Sequence, residues 1–117
     1  MWAKGGLVRD GAGLQEALDE LANLSDKAEK ASVTPVREYN PGWHEWLNVQ
    51  SLITVAQMTC QSALARRESR GSHYRSDYPD RDEAEWLCNI LLRETPDGVP
   101  EIWNEMVEFS RLQPELS

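Results

Sequence analysis

The chain has 117 residues, enough for one domain but too few for a cofactor enzyme of two lobes. Hydrophobic residues make up 40% and charged residues 27%, the composition of a chain that can fill a core rather than stay disordered. The 12 Lys and Arg against 20 Asp and Glu leave a net charge of -8, which repels phosphate backbones and anionic lipid headgroups and argues against nucleic-acid binding.

Met1 to Gly6 contains no apolar segment of the signal-peptide kind, and no run approaches the roughly 18 apolar residues of a membrane span. Cys60 and Cys88 lie far apart in the sequence without a metal or disulfide pattern, so reduced, buried thiols of a cytoplasmic protein are expected. Leu14, Ala17, Leu18, Leu21, Leu24 and Ala28 recur at spacings of three and four, which predicts an amphipathic helix from about 11 to 31. Asp10 can cap it, although Gly11 and Gly13 weaken its first turn.

Asn40-Pro41 reads as the start of a second helix, the Asn as cap and the Pro where a missing N–H costs nothing. Pro41 to Ser69 holds no further Pro and only Gly42, so one long helix over 41–69 is expected. Its stripe is Trp46, Val49, Ile53, Ala56, Cys60, Ala63 and Arg67, facing Leu14, Leu18 and Leu21 of an antiparallel first helix. A second row, Leu52, Val55 and Thr59, needs a third element or a body outside this chain. Residues 72–82 are polar and aromatic and read as a structured loop. Trp86 to Arg93 is strand-like, and Thr95-Pro96-Asp97-Gly98 is a turn cluster. Val99 to Phe109 fits a returning strand by the alternation of Trp103, Glu105, Val107 and Phe109, and a helix by the spacing of Ile102, Trp103, Met106 and Val107.

Residues 66–81 carry Arg66, Arg67, Arg70, Arg75 and Arg81 against Glu68, Asp77 and Asp80, a basic island in an acidic chain. Clustered guanidinium forks and carboxylates at a helix end predict an ordered network of Glu68, Arg70, His73, Arg75 and Asp77. Part of it is expected to face outward, so that Arg70→Ala costs less than about 1 kcal/mol. A metal site from His44, Glu45, Cys60, His73 and Asp77 lacks ligand spacing, and acid–base work by Glu68 with His73 lacks half a pocket.

Ala63-Leu64-Ala65-Arg66-Arg67-Glu68-Ser69-Arg70-Gly71-Ser72-His73-Tyr74-Arg75-Ser76-Asp77-Tyr78-Pro79 resembles the ALxRxESRGxHxRxDYP signature of the C-terminal helical domain of the succinate dehydrogenase and fumarate reductase flavoprotein family, which L-aspartate oxidase shares. Met1-Trp2 with Gly6-Leu7-Val8-Arg9 is similar to that domain's opening, and Gly13-Leu14 and Asn40-Pro41-Gly42 to its helix starts. The resemblance implies a mainly α fold, an antiparallel bundle of the three-helix spectrin-repeat type with a C-terminal β-hairpin or short extension. Residues 1–82 would form the bundle with its loop, and 83–117 the hairpin or extension of the same domain. Asp80 to Trp86 offers at most a short third helix.

The resemblance also implies a piece that follows a flavin-binding and a capping domain, with FAD in the parent protein and none in this chain. No catalytic, cofactor-binding or metal residues carry over, so the piece alone is expected to be inactive. Arg67, Glu68, Ser69, Arg70, Gly71, His73, Arg75, Asp77 and Pro79 are the expected docking motif. The implied partners are the parent's flavin-binding and capping domains, an iron–sulfur subunit at the inner face of a membrane, or a second copy of the chain. Asp80 to Trp86 and Val107 to Pro114 resemble dehydrogenase and reductase continuations, favouring those over L-aspartate oxidase. An independent acidic helical interaction module is the remaining alternative.

Overall fold

The computed structural model describes residues 2–32, 38–97 and 99–111; the linker around Pro35, Gly98 of the turn and the end of the extension, 112–117, lie outside the described residues. In chain order the elements are α1 (Trp2–Gly5), β1 (Val8–Arg9), α2 (Gly11–Lys30), α3 (Pro41–Ala65), β2 (Tyr74–Arg75), α4 (Glu83–Trp86), β3 (Cys88–Arg93) and β4 (Glu101–Met106). Both long helices begin on the expected caps. Asp10 accepts from the Gly13 amide at 2.8 Å, and Asn40 accepts from the Gly42 amide at 3.1 Å with Pro41 following. Lys4 of α1 reaches Glu16 and Glu20 of α2 at 2.9 and 2.8 Å.

The α2–α3 pair is antiparallel: Trp46, near the start of α3, donates its indole N–H to the Ala28 carbonyl near the end of α2, while Leu14 shares the core with Cys60 and Ala63. Leu14, Ala17, Leu21, Cys60 and Ala63 are buried, with Leu18, Ala56 and Leu64 packed against them. Three alanines and a cysteine at the contact let the backbones approach closely. Ile53 is buried beyond this cluster, but Val49 is exposed, a departure from the expected stripe. The half-buried side chain in that turn is Gln50 instead. Both cysteines are buried and stand outside any disulfide among the described residues, and burial pushes the Cys60 thiol up, away from the reactive thiolate.

Two further expectations are corrected. The second helix ends at Ala65 rather than near 69, because Arg66 turns extended (φ -75°, ψ 120°) and sends its guanidinium to the carbonyls of Trp86 and Cys88. The three-helix bundle that the resemblance implies is reduced to a helix pair: as the Asp80 to Trp86 segment led one to expect, α4 is only 4 residues long, capped by Asp82, and the chain then passes straight into β3. Strands β3 and β4 form an antiparallel hairpin in which Cys88 pairs with Met106 and Arg93 with Glu101, so residues 101–106 are strand. Arg93 forms an ion pair with Glu101 and lies over the Trp103 ring. The pair β1–β2, parallel through Val8–Tyr74 and Arg9–Arg75, has no counterpart in the sequence pattern. No helix of the described residues is long and apolar enough to cross a membrane.

Leu14 and Leu52 separate the core from the open row. Leu14→Ala, at 1% exposure, is expected to cost about 3 to 5 kcal/mol in urea unfolding, and Leu52→Ala, at 67%, less than about 0.5 kcal/mol. Equal effects would show that the helices pack through a different face.

Candidate functional site

A helix pair of this kind leaves unpaired amides at the start of α2 and unpaired carbonyls at the end of α3, side by side. The loop from Arg66 to Asp82 closes both. Arg75, 2% exposed, donates from Nη1 to the carbonyls of Ala63, Leu64 and Arg66 at 2.8, 3.2 and 3.2 Å. Its Nε and Nη2 hold Asp77 through both carboxylate oxygens at 2.8 and 2.6 Å, and Asp77 in turn accepts from the Gly11 amide at 3.0 Å. One ion pair thus ties the two helix ends, a cation at the carbonyl end and a carboxylate at the amide end. A Cβ on Gly11 would lie 3.2 Å from both Arg75 Nη2 and Asp77 Oδ2, so the glycine that weakens the first turn makes room for this contact. The Arg75 fork holds the Asp77 carboxyl down at about 2, against the cost of its partial burial.

Glu68 is the second centre, with 0% exposure. Its carboxylate accepts from Arg66 Nη1, from Arg70 Nε at 2.7 Å and Nη2 at 3.0 Å, and from the Asp82 amide at 3.0 Å. Burial alone pushes the Glu68 carboxyl up, but the bonds from Arg70, Asp82 and Arg66 together outweigh it and hold it below the usual range. Arg70 also reaches Glu83 at 3.4 Å, and Arg81 pairs with Glu83 from outside. Arg66 lies over the Trp86 ring at 5.6 Å.

The turns that carry these groups are local. Arg70 and His73 exchange both backbone hydrogen bonds, 2.8 and 2.9 Å, around Gly71, whose φ of 57° suits a residue without a Cβ. Ser69 accepts from the Arg75 amide at 2.9 Å and donates to the Tyr78 carbonyl at 2.8 Å. Tyr78 lies under the Arg75 guanidinium, and exposed Pro79 follows where the Arg75–Tyr78 turn closes. His73 accepts at Nδ1 from Arg9 at 2.7 Å; burial and the charges of Arg9, Arg75 and Arg66 push its imidazole below the ordinary range.

Of the expected motif, Glu68, Ser69, Arg70, Gly71, His73, Arg75 and Asp77 come together, and Pro79 punctuates the loop. Arg67 does not: it is exposed and makes no hydrogen bond or ion pair among the described residues. Arg70 is a correction too, because its side chain is 24% exposed and clamped on Glu68 rather than turned outward. Arg66, Arg9, Asp82 and Glu83 were missed as site residues. The signature itself held the signal for the first of them, since ALxRxESRG sets its fixed Arg on Arg66 and its variable position on Arg67.

A helix pair closed by this arginine–carboxylate loop, with a hairpin after it, has the form of an oxidoreductase flavoprotein's C-terminal region. Residues 1–116 match the family described as fumarate reductase flavoprotein C-term, and the chain belongs to that family: it is a C-terminal domain of the succinate dehydrogenase and fumarate reductase flavoprotein subunits. It is 39% identical over 114 residues to the fumarate reductase flavoprotein subunit of Helicobacter pylori, covering 94% of this chain and 16% of that one. The succinate dehydrogenase flavoprotein subunit of Coxiella burnetii is 36% identical over 87 residues, covering 74% and 15%. Among solved structures, the quinol fumarate reductase FrdA of E. coli superposes with a TM-score of 0.82 at 26% identity, covering 99% of this chain and 20% of that one. The chain therefore spans less than a fifth of the length of the two relatives named first. Neither L-aspartate oxidase nor an independent acidic module is favoured by these relatives.

Removing the buried Glu68 carboxylate strands two half-buried guanidinium groups, so Glu68→Ala is expected to cost about 3 kcal/mol, and Arg70→Ala clearly more than about 1 kcal/mol. Urea unfolding checks both.

Acid should act in two steps. His73 binds its proton less tightly folded than unfolded, so its contribution is complete above about 6.5, the unfolded value, and declines as pH falls below it. Asp77 and Glu68 bind protons less tightly when folded as well, and their contribution is lost as pH falls from about 4 towards 2. His73→Gln should flatten the upper step of a stability–pH curve and Asp77→Asn the lower.

Proposed function

We propose that this chain is the packing and assembly domain of an FAD-dependent flavoprotein subunit of the succinate dehydrogenase and fumarate reductase type, and that the flavin is held by the preceding part of the parent polypeptide. The observation that carries this reading is the open apolar row of α3: Leu52 and Val55 are 67% and 61% exposed, along one face that leads to exposed Thr59. The radius of gyration, 18.1 Å, exceeds the roughly 13 Å of a compact domain this long, which suits a piece laid along a larger body. On the hairpin, Ile102, Trp103 and Met106 are likewise exposed, and a two-stranded sheet gains little stability without a cover.

The residues present do not fit the cofactor. The strand–turn–helix from Val8 to Gly13 is the place where a flavin's pyrophosphate would seek free amides, but the Gly11 and Gly13 amides are taken by Asp77 and Asp10, whose charges repel phosphate. Glu68 is fully engaged and held ionised, which suits a structural anchor better than a proton carrier. The partners this reading implies are the flavin-binding and capping domains and, through them, an iron–sulfur subunit.

The test is Leu52→Asp with Val55→Asp. In the isolated chain the pair should change the unfolding free energy by less than about 0.5 kcal/mol, both sites being open. In the full-length parent it should lower flavin content per polypeptide, read from visible absorbance. A parent that keeps full flavin and unchanged assembly would remove the packing role.

A further inference from the structure

Among the buried and half-buried arginines, Arg66, Arg70 and Arg75 each meet a carboxylate. Half-buried Arg9 meets none among the described residues: its Nε donates to the Gly6 carbonyl at 2.7 Å and its Nη1 to His73. Since a guanidinium can only donate, His73 carries its proton on Nε2; that nitrogen is buried, and its one acceptor is a loose approach to the Arg66 backbone that falls short of a formed hydrogen bond. Arg9 and His73 line a cavity of about 410 Å³ with Thr59, Ser62, Arg66 and Ile90. A half-buried cation without a counter-charge, beside a buried N–H donor that no acceptor meets squarely, is costly unless an acceptor arrives.

The donors narrow what that acceptor is. Thr59 and Ser62 give their hydroxyl protons to the carbonyls of Val55 and Met58, and Arg66 Nη1 and Nη2 are engaged with Glu68, Trp86 and Cys88. Arg66 is paired with Glu68, so the charge left over in the recess is that of Arg9 alone; with the remaining N–H groups of Arg9 and with His73 Nε2 it suits a singly charged carboxylate better than a doubly charged phosphate. Thr59 belongs both to this recess and to the open row of Leu52 and Val55, so recess and row form one continuous surface.

We propose that the recess is a carboxylate-binding site, and that its occupant is an Asp or Glu side chain of the parent polypeptide's flavin-bearing part, seated there when that part covers the α3 row. The occupant rests on the packing role proposed above; the site itself does not. A free small carboxylate would fill the recess and leave the row bare, whereas a folded body carrying an acid covers both.

The test monitors the His73 ring resonances by NMR, with acetate as the probe and chloride at equal ionic strength as the control. In the 117-residue chain acetate should shift the His73 signals, inorganic phosphate should bind no better, and Arg9→Gln should weaken acetate by about tenfold while Arg9→Lys restores much of it. In the full-length parent acetate should have no effect, and His73 should take its proton at higher pH than in the isolated chain. Failure of acetate to act on the isolated chain would overturn the site. An undiminished acetate response in an assembled parent would overturn the occupant and leave a free-anion site. Failure of the parent to assemble through α3, with the acetate response intact, would remove the packing role and the occupant together.

Discussion

The closure of the helix pair depends on the burial of Arg75. An antiparallel helix pair places the carbonyl end of one dipole beside the amide end of the other, and both ends need partners once water is excluded. Arg75 and Asp77 supply a donor fork and an acceptor pair of the matching signs, two residues apart in sequence. The pair is neutral as a whole, so it enters the interior at a lower desolvation cost than either charge alone. Its geometry requires the short parallel β1–β2 contact, with the Ser76 amide on the Arg9 carbonyl at 2.8 Å, to bring the loop over the start of α2.

Glu68 extends the same logic to the other side of the loop. Two arginines and a backbone amide saturate a carboxylate that no water reaches, and the same arginines continue to α4 and β3. A network satisfied this fully specifies one arrangement of the loop, because losing any member leaves a charge buried without its partner. The same saturation makes it poor chemistry: a base needs a lone pair to spare and a proton affinity near that of its surroundings. The motif density that marks residues 66–81 therefore reports demands of shape.

The legible parts of the fold were the local ones. Asp10 and Asn40-Pro41 announced the helix starts because capping involves only neighbours in sequence. The end of α3 was not legible, since Arg66-Arg67 continue a good helical pattern and the helix is stopped by carbonyls of Trp86 and Cys88, far along the chain. Residues 101–106 fit two periods equally well until β3 stood beside them. Arg9 stood out only as part of the Gly6-Leu7-Val8-Arg9 opening, without a role, because its role exists only once His73 has been folded against it. In the site, the residues with sharp local demands, such as Gly71 and the Arg75–Asp77 pair, were visible, while the direction of Arg70 depended on where α4 put Glu83.

The placement of the charged anchors also gives the helix pair a direction. They all sit where α2 begins and α3 ends, while at the other end Trp46 on the Ala28 carbonyl joins the helices. The core and the charged anchors meet at the same end, so slow amide exchange is expected to be strongest around Leu14 of α2 and around Cys60 and Ala63 of α3. The helix pair is thus closed at both ends, by its own chain between Lys30 and Pro41 at one and by the charged anchors at the other, and it is the second closure that keeps the recess in shape.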